Sequence, residues 1–545
     1  MHKTGQQILQ LFSIRNQYGK NYTAQKLKLL QSIGKSTVSS KNELQKYYDI
    51  LLFLIAYPDN ATIYRSANEQ LQQLALHIQQ HERIKRSLFN SGINATSLCC
   101  SFSFDIVKWI RYNHPDEIRF DSLAAGDGTI QSVLSVVMPK VESEILQDAN
   151  SNWKTWMKTS MTKGEELLDR LIAVFNESDL RPEVRDELWA AMGLFVEIDL
   201  PRHHCLPETL ITPYYHRSLI KSDLKNQPAS KPVKININES EAEHIIECGR
   251  MILVRHLREI DPVSFTAPRL VSYYRLPRGV SIALMGMVPV RRHPIDSYMG
   301  YVVFKNGLPV AYAGSWILFD SGRIGLNVFP SYRGGESQYI FDQVLQLHTK
   351  VYQLNRFSVD PYQLGKENSD GIHSGSFWVY HRSGFRPVKE EQQHIAEAET
   401  QKKKANKNYR SPGKVLKKLA DSRMEMILHK KAVRFDATDL SLAYAAILKT
   451  QYKNKRQPAE ERSLIRLAKL LQIKNYHEEN MQFILQNWCI LLISNEQQWI
   501  HNSRLKKELK KLFTIKASGA EEDYIAGLQQ AGELRKLMMN ISKVE

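Results

Sequence analysis

Hydrophobic residues in the first 220 positions recur at the spacing of a helix. Intervals of three and four residues place apolar side chains on one face, which a helix buries against its neighbours. The clearest stripes are Leu71, Leu74, Ala75 and Ile78, and Leu167, Leu168, Leu171, Ile172 and Phe175. The glycine-rich spot Gly126-Asp127-Gly128 follows no strand pattern and predicts a turn, not a nucleotide loop. Residues 1–222 are therefore predicted to form a mainly helical domain, whose function the sequence leaves open.

The pattern changes after residues 223–232, a polar stretch bounded by prolines, where we place a domain boundary. Residues 233–237 alternate apolar and polar side chains, which predicts a short strand. Asn238 and Glu241 are spaced like a capping box and predict the start of a helix. That helix should stop before Pro262, because proline disfavours helical backbone at the preceding residue.

Strand patterns follow, and after them the spacing of apolar residues changes from that of strands to that of a helix. Asn306-Gly307 tolerates positive φ at both positions and predicts a tight antiparallel hairpin. After the fourth strand, residues 330–337 form a loop, and the next segment has the period of a helix. The predicted strands are 280–287, 301–304, 310–319, 324–329 and 357–360, and the helix carries Ile340, Phe341, Val344, Leu345 and Leu347. An antiparallel sheet that continues into a strand-loop-helix-strand crossover is typical of an α+β fold.

Helical periodicity returns in the last part of the chain. Residues 389–410 change from Glu/Gln-rich to Lys-rich sequence, which predicts an exposed linker. Amphipathic helices are expected beyond it, on the stripes Leu464, Leu467, Leu470 and Leu471, and Leu505, Leu509 and Leu512. Residues 410–545 are therefore predicted to be a mainly helical C-terminal segment.

Charge distinguishes this last segment from the rest. The 545 residues carry a net charge of +17, and from Gln401 onward there are 29 Lys and Arg residues against 15 Asp and Glu. Most of the basicity thus lies in the C-terminal segment. Such a surface can attract nucleic acid or an acidic partner, since long-range attraction needs only summed charge. A solvated basic face explains the composition equally well.

Composition narrows the class of protein. A content of 43% hydrophobic and 24% charged residues is typical of soluble globular proteins. The five cysteines have no spacing that predicts a disulfide framework or a zinc site. His203-His204-Cys205 is predicted to be a loop, because adjacent histidines point to different sides; no metal is expected. We read no signal peptide and no apolar stretch long enough to span a membrane, and predict a cytoplasmic protein.

The first segment with chemical potential is Arg333-Gly334-Gly335-Glu336-Ser337, between a predicted strand and a predicted helix. A helix N-terminus offers free backbone N–H groups and the positive end of the helix dipole to an anion. The glycines would let a diphosphate approach the backbone, and Arg333 would add a charged hydrogen bond. Taken alone, the segment is equally an ordinary strand-to-helix turn.

The second segment is residues 375–387, in which Tyr380 to Phe385 reads Tyr-x-x-x-Gly-Phe. Together the two segments resemble the GNAT superfamily of N-acyltransferases. In that family a coenzyme A loop of the Arg/Gln-x-x-Gly-x-Gly/Ala kind precedes a helix, and a later helix ends in Tyr-x-x-x-Gly-Phe. The match covers residues 309–387, or about 233–390 if the preceding helix and strands belong to it. The first segment departs from the family, since Glu336 and Ser337 stand where glycine or alanine is expected. A carboxylate would repel a diphosphate, so Glu336 must point away or binding is weak.

The resemblance implies a GNAT-like mixed sheet with helices on both faces, flanked by the two helical segments. It implies transfer of an acyl group from acetyl-CoA or another acyl-CoA to an amine acceptor. Tyr380 would protonate the leaving thiolate, as a phenol with a pKa near 10 is able to do. The residues implied to hold the cofactor are Val328, Arg333, Gly334, Gly335 and Ser337. Tyr380 can instead be a packing residue of its helix.

A general base must accept the proton of the amine, and the predicted strand 324–329 contains no carboxylate. Asp360, at the end of the next strand, is the first choice, ahead of His373 and Glu336; a turn cap is an equal alternative for Asp360. Asn368 and His373 would contact the acceptor or cap a helix. The missing carboxylate and the altered loop also suit a second hypothesis, a degenerate GNAT fold that acts as a binding or scaffold protein.

Overall fold

The protein is described by a computed structural model covering residues 3–36, 38, 40–147, 152–202, 206–220, 231–406, 408–429 and 435–543. The chain divides into two compact units. The first contains Met1–Ser218, His244–Glu259 and Asn306–Pro309. The second contains Leu219–Glu243, Ile260–Lys305 and Val310–Glu545. The predicted boundary at residues 223–232 falls largely outside the described residues.

The first unit is mainly helical, as predicted. Both apolar stripes lie on helices, Ala61–Gln80 and Leu167–Glu177, and all but Leu167 of their residues are buried. Its helices are α1 (Lys3–Ile14), α2 (Lys20–Gly34), α3 (Lys41–Ala56), α4 (Ala61–Gln80), α5 (Glu82–Ser87), α6 (Phe104–Asn113), α7 (Asp127–Val137), α8 (Lys140–Ser143), α9 (Trp153–Ser160), α10 (Leu167–Glu177) and α11 (Pro182–Met192). Gly126 is the N-cap of α7, so the predicted turn is the start of a helix.

The first unit also contains a small sheet that the sequence did not predict. Its strands are β1 (Ser97–Cys100), β2 (Ile118–Leu123) and β3 (Leu194–Asp199), in the antiparallel order β1-β3-β2. Only β3 alternates regularly between buried and half-buried residues. Strands of four to six residues, far apart in sequence, give too short a periodic signal to be separated from the surrounding helical pattern.

The second unit is built on a larger mixed sheet. Its strands are β4 (Val233–Ile235), β5 (Val271–Leu276), β6 (Val280–Met285), β7 (Ser297–Lys305), β8 (Leu308–Leu318), β9 (Ser321–Ile324), β10 (Asn327–Val328), β11 (Arg356–Val359), β12 (Arg386–Pro387) and β13 (Met424–Ile427). The order is β12-β13-β11-β9-β8-β7-β6-β5-β4, with β10 also paired to β8. The pair β9 and β11 is parallel. The predicted α+β class is confirmed at this level.

The hairpin prediction is also confirmed. Asn306 and Gly307 connect β7 to β8 with φ angles of 47° and 85°. Positive φ at both positions of a two-residue turn matches the right-handed twist of the strands it joins. Tight turns of this kind fix the strand register, and therefore which side chains of β7 and β8 face each side of the sheet.

Helices accompany this sheet before, between and after its strands. They are α13 (Asp261–Ser264), α14 (Ser337–Val351), α15 (Pro361–Leu364), α16 (Ser369–Ser374), α17 (Ser376–Arg382), α18 (Glu390–Ala405), α19 (Gly413–Leu419), α20 (Ala437–Tyr452), α21 (Arg456–Leu471), α22 (Glu479–Ile493), α23 (Ser503–Ser518), α24 (Glu521–Gln530) and α25 (Gly532–Ile541). A further helix, α12 (Glu239–Arg255), begins in the second unit, and its residues from His244 on belong to the first. The capping box predicted for α12 is present, because Asn238 and Glu241 each accept the other's backbone N–H. That helix ends at Arg255, and α13 is a new turn around Pro262.

Helices lie on both faces of the sheet. On one face, the ring of His348 from α14 is 5.2 Å from the ring of Tyr301 in β7. On the other, a Cβ added to the neighbouring Gly300 would lie 2.8 Å from Pro262 in α13. Adjacent residues of a strand point to opposite faces, so α14 and α13 flank the sheet from the two sides.

The predicted linker at residues 389–410 is wrong over most of its length, since residues 390–405 form α18. Glu390 and Glu391 lie in its first turn and Lys402, Lys403 and Lys404 in its last. Acidic residues at the N-terminus and basic residues at the C-terminus stabilise a helix through its dipole. The swing in charge that suggested a linker is therefore itself a helix signal.

The predicted boundary between a domain at 233–390 and a segment at 410–545 is also corrected. β13 lies between β11 and β12 in the sheet, pairing with both. Beyond it, the Arg292 guanidinium donates to the carbonyl oxygens of Lys516, at 2.9 Å, and Gly519, at 2.7 Å. The Trp488 indole donates to Pro294 O at 3.0 Å. The C-terminal helices and the sheet therefore belong to one unit.

Among the residues described, no helix combines the length and the apolar character that crossing a membrane requires.

Candidate active site

The strand pattern predicted at residues 324–329 is interrupted at Gly325 and Leu326, between β9 and β10. Ile324 pairs with Ser315 and Asn327 pairs with Tyr312, so the register is the same on both sides and no residue is inserted. The interruption exposes backbone groups that a continuous ladder would use.

Two buried tyrosines form hydrogen bonds with those backbone groups. The Tyr301 hydroxyl donates to the carbonyl oxygen of Gly325. The backbone N–H of Leu326 donates to the Tyr380 hydroxyl at 3.2 Å. Tyr301 is fully buried and Tyr380 is 2% exposed, and burial raises the pKa of both phenols. Tyr380, from the Tyr-x-x-x-Gly-Phe segment, is thus hydrogen-bonded to the chain just before the loop at residues 330–337.

The geometry around Tyr380 explains its motif physically. Gly384 has a φ of 106°, in the region that favours glycine, and ends α17 so that the chain turns back. The N–H of Phe385 then donates to Tyr380 O at 3.2 Å. The Tyr380 ring packs edge-on against Phe341 of α14, with centroids 5.0 Å apart. These contacts hold the phenol in one orientation.

The loop before α14 has the form of a helix N-terminus. Pro330–Tyr332 is a single 3₁₀ turn, Gly334 has a φ of 87°, and the first helical hydrogen bond runs from Ile340 N to Glu336 O at 2.9 Å. The N–H groups of the first turn of such a helix have no partner within it. Arg333 and Gly334 are exposed, whereas Gly335, Ser337 and, on β10, Val328 are partly buried.

Glu336 lies inside the protein beneath this loop. Its carboxylate is 2.9 Å from Lys305 Nζ and 3.1 Å from Arg278 Nε, and the side chains of Glu336 and Lys305 are fully buried. Burial lowers the Lys305 pKa to about 8, with the Glu336 carboxylate acting in the opposite direction. This cluster has no local signal in the sequence, because Glu336 is 31 positions from Lys305 and 58 from Arg278.

Asp360 follows β11 and forms an ion pair with Arg323, at 3.4 Å. The Arg323 guanidinium lies 4.5 Å from the ring of Trp316, which stacks on Tyr298 at a centroid distance of 4.0 Å. About half of each charged side chain is exposed. The proposed base is thus accessible, and it is paired with a cation that sequence reasoning missed.

Asn368 and His373 belong to the short helix α16. Asn368 is its N-cap: the carbonyl of its side chain accepts the N–H of Gly371 at 3.3 Å, and its amide donates to Tyr362 O at 3.1 Å. His373 lies exposed in the last turn. Of the two roles considered for Asn368, the capping role is present.

A buried histidine lies on the same face of the sheet as Tyr301. His348 Nε2 is 3.1 Å from Ser315 Oγ, and Nδ1 is 2.9 Å from Val344 O. Both Ser315 and His348 have no exposed surface. Burial lowers the pKa of His348 to about 4, so the ring is neutral at physiological pH. Without access to solvent the pair is a packing and hydrogen-bonding element, not a nucleophile and its base.

Within the described ranges, no group of three or more His, Cys, Asp and Glu side chains is placed to hold a metal ion. His203-His204-Cys205 lies outside those ranges.

Comparison of the chain with models of protein families, with curated proteins and with solved structures gives no match.

Proposed function

We propose that the second unit is an acyl-CoA-dependent N-acyltransferase of the GNAT type. The observation that carries the proposal is the hydrogen bond from Leu326 N–H to Tyr380 Oη. It joins two sequence segments more than 50 residues apart, the strand before the loop and the Tyr-x-x-x-Gly-Phe helix. The parallel pair β9 and β11, joined through α14, supplies the crossover between them.

In the proposed reaction the nitrogen of an amine acceptor attacks the thioester carbonyl carbon. The carbon–sulfur bond breaks, the sulfur leaves as a thiolate, and the amine loses one proton. Asp360 is the proposed acceptor of that proton, and Tyr380 the proposed donor to the thiolate. A raised pKa keeps Tyr380 protonated at neutral pH. Since the same shift opposes complete proton loss, hydrogen bonding to the developing negative charge is the larger part of its role.

The cofactor is proposed to lie against the loop and the strand that precedes it. The N–H groups at the start of α14 would donate hydrogen bonds to the diphosphate oxygens, with Gly334 and Gly335 allowing close approach and Ser337 and Arg333 adding donors. The backbone N–H of Val328 would hold the acyl carbonyl oxygen. Acetyl-CoA or another acyl-CoA fits this arrangement, because the loop would contact the part that all acyl-CoA species share.

Titration calorimetry and thermal unfolding with a panel of acyl-CoA species test the proposal. Ligand at a hundredfold excess over its dissociation constant should stabilise the protein by about 2.7 kcal/mol. A species that binds is then offered with amines, amino acids and peptides, and release of free thiol is followed. Absence of stabilisation by every acyl-CoA would refute the cofactor site.

A degenerate GNAT fold that binds without turnover is the alternative. Glu336 in place of glycine or alanine favours it, as does the ion pair that ties Asp360 to Arg323. Acyl-CoA that binds tightly and is never transferred to any acceptor would decide for this alternative.

A further inference from the structure

The Glu336 carboxylate accepts hydrogen bonds from Lys305, Arg278 and the backbone of Ile220. Lys305 Nζ lies 2.9 Å from Oε2, while Arg278 Nε and the backbone N–H of Ile220 each lie 3.1 Å from Oε1. Arg278 Nη2 also donates to Oε1. Glu336 is the residue immediately before α14, so a negative charge is held below the helix N-terminus and out of solvent.

The donors also connect the loop to the turn between β5 and β6. Lys305 Nζ donates to the carbonyl oxygen of Arg278 at 2.6 Å, and Tyr339 Oη donates to Pro277 O at 3.3 Å. Arg278 itself has a φ of 63°, a backbone conformation that a non-glycine residue adopts only where its surroundings hold it. The turn at residues 277–279 and the start of α14 are therefore fixed to each other.

The two cations change the expected effect of Glu336. Lys305 and Arg278 both pair with its carboxylate, so the negative charge beneath the loop is compensated. A lone carboxylate at this place would oppose an anionic ligand, whereas a buried and paired carboxylate opposes it less. The departure of this loop from the glycine-rich family pattern is thus matched by two basic residues from β7 and from the β5–β6 turn.

We propose that Lys305 and Arg278 are positioning residues of the proposed cofactor loop. By holding and neutralising the Glu336 carboxylate inside the protein, they keep residues 333–337 in a form that admits a diphosphate. The identity of the ligand in this inference rests on the proposed function. The effect on the conformation of the loop rests only on the contacts of the cluster.

Lys305→Met is the first test, because methionine keeps an unbranched side chain of similar length and removes the charge. The dissociation constant for acetyl-CoA should rise at least about tenfold, since a poorly compensated carboxylate would then lie next to an anion. Hydrogen exchange at residues 333–340 should become faster. Adding Glu336→Gln in the same chain removes that charge, and most of the acetyl-CoA affinity should return.

The double variant separates a positioning role from a purely structural one. A structural role predicts that the losses of the two substitutions add, whereas the charge argument predicts recovery. Lys516→Met is the matched control: Lys516 is also fully buried and paired with a glutamate, Glu521, on the C-terminal helices. It should lower stability and leave acetyl-CoA affinity within about twofold of the parent.

An unchanged dissociation constant in Lys305→Met, or a further loss in the double variant, would overturn the inference. If Lys305→Met does not fold, Arg278→Gln gives the same test at a side chain that is 17% exposed. If the parent protein does not bind acetyl-CoA, the proposed function fails. The exchange measurement then decides the inference: faster exchange that the double variant reverses supports it, and unchanged exchange refutes it.

Discussion

The Leu326 N–H donates to the Tyr380 Oη at 3.2 Å, in the interval where β9 and β10 leave the ladder. Tyr380→Phe removes this acceptor and the proposed proton donor together. We expect turnover to fall by about 10²–10⁴-fold, with acetyl-CoA affinity nearly unchanged. Stability should fall by about 1–3 kcal/mol, because a partly buried N–H loses its partner. Denaturant titration, calorimetry and single-turnover kinetics measure the three effects separately.

Tyr301→Phe is the matched control for Tyr380. Tyr301 is equally buried, and its hydroxyl bonds to Gly325 O in the same interval. Its loss should lower stability by a similar amount and leave turnover per folded molecule unchanged. Equal turnover in both variants, on an acceptor shown to be acylated, would make Tyr380 a packing residue.

The two glycines of the loop should respond differently to substitution. Gly335→Val should weaken acetyl-CoA binding, because the side chain blocks the approach of the diphosphate to the backbone, while no strain from a positive φ is expected at this position. Gly334→Val should also cost about 1–3 kcal/mol of stability, since valine is strained at a φ of 87°. Calorimetry and chemical denaturation check both. Normal binding by folded Gly335→Val would remove the loop from the site.

Stability should depend on pH through His348. Its pKa is about 4 in the folded protein, because burial disfavours the charged ring, against about 6.5 in the unfolded chain. The unfolded chain therefore binds more protons between pH 6.5 and 4. Stability is complete above pH 6.5 and decreases as the pH falls to 4, by up to about 3 kcal/mol.

Urea titrations from pH 7.5 to 4 measure this effect. His348→Gln should flatten the curve. Some dependence will remain, because burial lowers the pKa of His381 to about 4 as well. The same slope in His348→Gln as in the parent would show that His348 does not contribute.

The elements that the sequence predicted well are those whose signal is local. The turn at Asn306-Gly307 needs only two residues that tolerate positive φ, and the apolar stripe of α14 repeats over about two turns of helix. The small sheet of the first unit and the cluster around Glu336 depend on partners far apart in sequence. No local pattern indicates such pairings, and so both were missed.

The candidate site divides in the same way. The Tyr-x-x-x-Gly-Phe pattern could be found because Gly384 and Phe385 serve the backbone and packing of one short helix. The hydrogen-bond partner of Tyr380, the Leu326 N–H, could not be found from the sequence, because the interruption at Leu326 falls within an otherwise regular strand pattern. The linker at 389–410 was misread because a charge gradient along a helix and a charged linker have the same composition.

The last prediction concerns the basic C-terminal segment and how it must be tested. A chain that ends near Arg386 would lose β13, which pairs with β11 and β12, so truncation would unfold the sheet as well as remove charge. Point substitutions are required instead. On α23, Lys507 and Lys511 are four residues apart and exposed, and neither forms an ion pair with another described residue. If this face binds nucleic acid, Lys507→Glu/Lys511→Glu should abolish salt-dependent retention on immobilised DNA or RNA. The salt slope should fall by about one for each phosphate that the variant no longer neutralises. Lys20→Glu/Lys28→Glu changes the net charge equally at exposed positions of the first unit and should have little effect. Equal losses in both pairs would mean that retention follows total charge alone, and no retention by the parent at low salt would mean that the face is only solvated.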